Sequence, residues 1–133
     1  MYDFLQTLAA DNDWFFEYSR TDYQNLYDGM EYNKVHLFVD PITIDSKFSD
    51  SGFEIKTFSG KLMILLSSNV DESYTDKYNT YIKPIMEQSV EAFKSSLNCS
   101  DFIINKFQST EIINLFDVNL DGLIINYNIT LPL

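Results

Sequence analysis

The chain has 133 residues, of which 45% are hydrophobic and 16% aromatic; that is enough apolar surface to bury one core, and it excludes a disordered tail. Nine basic residues against twenty acidic give 9 − 20 = −11 at pH 7, which disfavours clamping of nucleic acid or docking on anionic lipid, since both rely on Lys and Arg. Cys99 is the single cysteine, so no internal disulfide and no thiolate cluster can form, as fits a reducing compartment.

The N-terminal stretch MYDFLQTLAADNDWFF has neither a basic region nor a long apolar core, so no signal peptide is predicted. The longest apolar run, Leu62 to Leu66, is far too short to cross a bilayer. Tyr2, Phe4, Leu5, Leu8 and Ala9 recur at helical spacing and predict a short helix ending near Asn12. The aromatic cluster Trp14, Phe15, Phe16 and Tyr18 predicts an extended segment, and Thr21 to Gly29 a helical turn capped by Thr21 or Asp22.

Lys34 to Ile44, KVHLFVDPITI, predicts a strand with Val35, Leu37 and Val39 on one face, bending or lying at an edge where Pro41 cannot donate. Asp45 to Gly52, DSKFSDSG, is polar and turn-rich and predicts a long hairpin tip. It leads into the central strand, Gly52 to Asn69, which alternates through Phe53, Ile55 and Thr57 before turning continuously apolar from Met63 to Leu66. Gly60 within it predicts a bulge or bend.

Tyr74, Tyr78, Tyr81, Ile82, Ile85, Val90, Phe93 and Leu97 then form a helical stripe, with Asp71 or Ser73 as cap, Asn98 as end and a kink or split expected at Pro84. Asp101 to Asn114 predicts a strand and Leu115 to Gly122 a turn. Leu123 to Leu131 gives a last strand with Leu123, Ile125, Tyr127, Ile129 and Leu131 on one face. The expectation is one α+β domain over residues 1–133: a four-stranded, mainly antiparallel sheet in the order α-β-β-α-β-β, with a long hairpin and helices on one face.

Asp117, Asn119, Asp121 and Gly122 match the opening of a calcium loop, D-x-N-x-D-G. The twelfth position, which must supply a bidentate carboxylate, is Asn128, so a hairpin turn at Asp121-Gly122 is the favoured reading. His36 stands alone between apolar neighbours and reads as an ordinary strand histidine; Cys99 has only that one histidine as a conceivable base. Ser59-Gly60-Lys61 lacks the spacing of a phosphate loop, and the Asn98 and Asn128 sequons mean nothing without secretion. The tyrosines at 74, 78 and 81 read as core, with a polar edge suited to a subunit boundary. Acidic clusters at Asp71, Glu72 and Asp76 and at Asp45 and Asp50 read as a helix start and a solvated loop. No catalytic residue, cofactor or metal is expected.

The phrases Tyr32 to Ile44, Thr57 to Leu66 (TFSGKLMILL), Tyr78 to Pro84 (YNTYIKP) and Ile112 to Tyr127 (IINLFDVNLDGLIINY), with the order of elements, resemble the small neck and tail-terminator proteins of tailed bacteriophages. The likeness is greatest to versions in phages of Bacteroidetes hosts, including the crAss-like group. Members often place Trp directly after the last glycine, where this chain has Leu123. The resemblance implies a virion protein with no active site, made in the host cytoplasm and assembled as a ring of six or twelve copies around a DNA channel. DNA would pass without specific binding, and no membrane is involved. Its partners would be the neighbouring portal, neck or tail rings. It also implies that the sheets line the lumen and that Asp45, Lys47, Phe48, Asp50 and Gly52 belong to a loop touching the adjacent ring. Strand edges near Val35 and Ile125 would make lateral contacts. Acidic side chains facing the bore would leave phosphate no foothold. The competing reading is a small acidic binding module, such as a DNA-mimicking inhibitor of a basic cleft.

Overall fold

Apolar spacing places the helices first. A computed structural model describes residues 1–20, 34–69, 71–115 and 119–131; the helical turn expected at Thr21 to Gly29 lies outside them. Helix α1, Tyr2–Asp11, buries Leu5, Leu8 and Ala9 and stops at Asn12. The long helix, α2, is continuous over residues 74–99, and Ser73 caps its start by accepting a hydrogen bond from the Asp76 N–H at 3.2 Å. Pro84 does not split it. Instead, the segments Tyr78–Ile82 and Ile85–Val90 on either side are π-helical. Proline lacks an N–H, and the wider i to i+5 pattern re-routes the bonds around that gap.

Six strands follow the chain: β1 Phe15–Tyr18, β2 His36–Val39, β3 Thr43–Phe48, β4 Glu54–Ser67, β5 Ile103–Leu115 and β6 Leu120–Leu131. They form one sheet in the order β1-β2-β4-β6-β5, with β3 also paired to β4. All pairings are antiparallel except β1 with β2. The α+β class holds, while the expected four-stranded antiparallel sheet becomes a mixed sheet of six in the order α-β-β-β-β-α-β-β.

Two physical causes account for the extra strands. Pro41 interrupts the ladder after Asp40, whose N–H still donates to Lys61 O at 3.1 Å, so the single strand expected over Lys34 to Ile44 becomes β2 and β3, both lying along the same side of β4. The aromatic segment at Phe15–Tyr18 joins β2 in parallel, a pairing between distant residues that no local periodicity encodes.

Gly60 does not mark a bulge, because β4 runs in unbroken register against β6 from Lys56 opposite Leu131 to Ser67 opposite Leu120. It lies where β4 changes neighbours from β3 to β2, directly opposite Tyr127. A Cβ there would stand 3.1 Å from the Tyr127 hydroxyl oxygen. The tyrosine therefore lies across the glycine, the arrangement by which an aromatic side chain covers bare strand backbone. The irregularities fall in β5 instead, between Ile104 and Lys106 and between Ile112 and Leu115.

Both described helices pack on one face of the sheet, over Leu37, Val39, Leu62, Ile64, Leu123, Ile125 and Ile129. A second, smaller cluster of Phe38, Met63, Leu65 and Leu120 is buried on the opposite face. Among the described residues, no helix is long and apolar enough to cross a membrane.

Candidate functional site

In the β3–β4 hairpin every residue of β3 is exposed. Its tip is set by local chemistry: the Gly52 N–H donates to Ser49 O at 2.9 Å, the Ser49 N–H to Phe53 O at 2.8 Å, and the Phe53 N–H to Ser49 Oγ at 3.1 Å. Gly52 has φ +84°, a conformation that glycine adopts without a Cβ penalty and that ends a three-residue hairpin loop. Asp45, Lys47 and Phe48 lie on β3, with Asp50 and Gly52 in the turn, so the five loop residues singled out in the sequence are brought together on this one hairpin.

Apolar residues sit there as well. Ile44 is 58% exposed, Phe48 69% and Phe53 64%, an unusual concentration of wet hydrophobic surface on one short hairpin. At its base, on the face turned away from the helices, a polar trough is lined by Asp45, Lys47, Thr57, Asn105, Asn128 and Thr130. Asn105 Nδ2 donates to Asn128 Oδ1 at 2.8 Å and Thr130 Oγ1 at 2.6 Å, and the Thr57 and Thr130 hydroxyls are 3.1 Å apart.

The sheet borders are the second feature. Among the described residues the thirteen-residue strand β5 pairs only with β6, leaving its outer edge open. The lateral positions expected at Val35 and Ile125 are not on a border. Ile125 lies on β6 between β4 and β5 and is fully buried under the helices, while Val35 precedes β2, which is flanked by β1 and β4. Alternating apolar residues announce a strand but not whether it is inside or outside the sheet.

The calcium-loop reading fails on contacts. Asp121 is not in a turn but within β6, and both its oxygens are engaged: Oδ2 lies 3.2 Å from Lys77 Nζ, and Oδ1 accepts the Asn114 N–H at 2.8 Å. Both side chains of the ion pair are completely buried. Lys77 also donates to Ser68 Oγ at 3.0 Å, and Ser68 donates through N and Oγ to Asn119 O. Asn119 thus holds the network by its carbonyl; Asp117 lies outside the described residues. Gly122, also expected in the turn, is a packing glycine of β6, since a Cβ there would stand 2.1 Å from Ile64 O. Among the described residues no group of three or more His, Cys, Asp or Glu could hold a metal.

His36 is buried on the sheet face away from the helices, its ring stacked on Phe15 at 5.5 Å and near-parallel to Phe38 at 6.3 Å. Cys99 is exposed at the end of α2, on the other side of the sheet. Of the tyrosine stripe, Tyr74 is exposed, Tyr78 packs on the core, and Tyr81 donates to Glu72 Oε1 at 2.6 Å. That bond needs the phenol protonated and raises its pKa above the usual value, with smaller contributions from burial and neighbouring carboxylates.

Charge is segregated. The helix layer and its ends present Asp3, Asp11, Asp71, Glu72, Asp76, Glu87, Glu91 and Asp101 against Lys83 and Lys94. The opposite sheet face carries charges of both signs, Glu17 and Asp45 with Lys47, Lys106 and Lys61, the last paired to Asp40 at 3.4 Å, among neutral side chains such as Gln108, Thr110, Asn126 and Asn128. No protein-family model matches the sequence, and no curated protein matches it either.

Proposed function

We propose that the chain is a structural ring subunit of a tailed-phage virion, seated at the neck or the tail end around the DNA channel and assembled in the host cytoplasm. The observation that carries the reading is the open border of β5, a long strand edge that a single copy leaves without a partner among the described residues. Unfinished edges invite pairing with another chain, and rotational closure makes such pairing finite. The exposed hairpin supports a contact to an adjacent ring, and the resemblance to neck and terminator proteins supplies the setting. With the sheet facing the lumen, as that resemblance implies, DNA would pass amides, hydroxyls and a few charges of both signs; with the helices inward, it would meet mostly carboxylates. Neither face offers the cationic stripe that phosphate binding requires. Copy number would be six or twelve, and no catalysis is involved.

The acidic helix layer favours a second reading, a DNA-mimicking module that fills a basic cleft on another protein. Light scattering and electron microscopy of the purified chain, alone and with the ring proteins encoded beside it, separate the two. Closed rings of six or twelve copies are expected. A particle no larger than a dimer in every mixture, together with tight one-to-one capture of a nucleic-acid-binding protein, would overturn the ring.

A further inference from the structure

The outer edge of β3 carries a sequence, Thr43-Ile44-Asp45-Ser46-Lys47-Phe48, that is complementary to itself when run antiparallel. Its only partner among the described residues is β4, in unbroken register from Thr43 opposite Ser59 to Phe48 opposite Glu54. Backbone groups of an antiparallel strand point alternately to one neighbour and to the other. The Ser49 N–H donates to Phe53 on the β4 side, so Lys47, Asp45 and Thr43 also direct their backbone groups inward. Ile44, Ser46 and Phe48 therefore present theirs outward.

We infer that two copies of this chain pair through β3 about a two-fold axis at Ser46, extending both sheets into one. Only this register meets every condition at once. Outward groups meet outward groups, Ile44 faces the second copy's Phe48 on one side of the sheet, and Asp45 faces the second copy's Lys47 on the other. Directly opposed side chains lie about 4.5–5.5 Å apart at Cβ, close enough for apolar contact and ion pairing. Sliding by two residues keeps the backbone match but sets Asp45 against Asp45 or Lys47 against Lys47. Neither Asp45 nor Lys47 has an ion-pair partner among the described residues, so both are available. Ile44 and Phe48, more than half exposed in one copy, are covered by the pairing. β3 runs against β4 with no bulge that would discourage pairing along its outer edge.

This pairing does not rest on the ring. A two-fold contact and a rotational ring are different closures, and where both form, the hairpins join two rings face to face. The interface is small, so the dimer is weak, forming between about 10 μM and 1 mM.

Sedimentation over that range should show the mass doubling, and hydrogen exchange at the amides of Ile44, Ser46 and Phe48 should slow by at least tenfold. The amides of Asp45 and Lys47, already bonded to β4, should not change. Ser46→Pro removes the central outward N–H, which an edge tolerates, and should leave a folded monomer, or halve the mass of any double ring. Should that variant fail to fold, charge reversal replaces it: Lys47→Asp should weaken the dimer at least tenfold, and adding Asp45→Lys should restore it. A constant monomer mass up to 1 mM would overturn the pairing. So would a dimer indifferent to these substitutions, or outward amides whose exchange ignores concentration.

Discussion

Lys77 carries its ammonium into the core only because Asp121 and Ser68 meet it there, 3.2 and 3.0 Å away. A buried pair of this kind gains little over apolar packing when whole but is costly when halved. Lys77→Met leaves a buried carboxylate held by the Asn114 N–H alone and should lower stability by about 3–5 kcal/mol, read as a lower urea midpoint at unchanged slope. Asp121→Asn in the same chain removes the stranded charge yet keeps an acceptor for Asn114, and should recover at least half the loss. Equal destabilisation by the single and double variants would contradict this account. Tyr127 is the opposite case, a hydroxyl that is buried with no hydrogen-bond partner among the described residues. Burial, and then the proximity of Tyr18 and Asp40, push its pKa up to about 12. The folded chain therefore holds this proton more tightly than the unfolded chain, whose tyrosine titrates near about 10. The contribution is intact below pH 10 and is lost as pH rises through 12. Tyr127→Phe keeps the ring over Gly60 and should leave stability at pH 7 unchanged or raised by up to about 1 kcal/mol. Its denaturation profile should also lack part of the alkaline decline; parallel profiles for the two proteins would refute the assignment.

At the scale of elements, sequence reasoning succeeded where one residue's neighbours along the chain are also its neighbours in space. The stripe from Tyr78 to Leu97 and the alternation from Leu123 to Ile129 are local patterns, and both became elements with the expected buried faces. It failed where the deciding partner is distant. Asp121-Gly122 has the local character of a turn, yet β6 begins at Leu120 because Lys77, on α2, satisfies Asp121 and Ile64 leaves no room for a side chain at 122. The parallel pairing of β1 with β2 is likewise invisible in Phe15 to Tyr18 alone. The same division applies to the site. The turn was legible in Gly52 and the polar run before it, but Asp45 to Phe48, expected in the tip, belong to strand β3 because their backbone pairs with β4, and the choice between inner and outer strand at Ile125 requires the sheet order. The complementarity of Ile44 to Phe48 likewise requires knowing which backbone groups face outward.

For the molecule as a whole, the governing quantity is the net charge of −11, most of it presented by the helix layer and its ends. Like charges crowded on one surface oppose the compact state, and they oppose the approach of identical copies still more. The described ion pairs that salt could weaken, Lys61 with Asp40, Lys34 with Asp13 and Lys94 with Glu91, are partly exposed, where such pairs contribute little. Lys77 with Asp121 is buried, and screening leaves it nearly untouched. Repulsion should therefore dominate the salt response. Raising sodium chloride from about 10 mM to 300 mM shortens the screening length from roughly 30 Å to below 10 Å, and the thermal midpoint should rise by about 3–5 °C for each kcal/mol of repulsion relieved. Self-association should strengthen over the same range. A midpoint that falls with salt would mean that attraction between the surface pairs outweighs the acidic excess, and the charge on the helix layer could then no longer be what holds free copies apart.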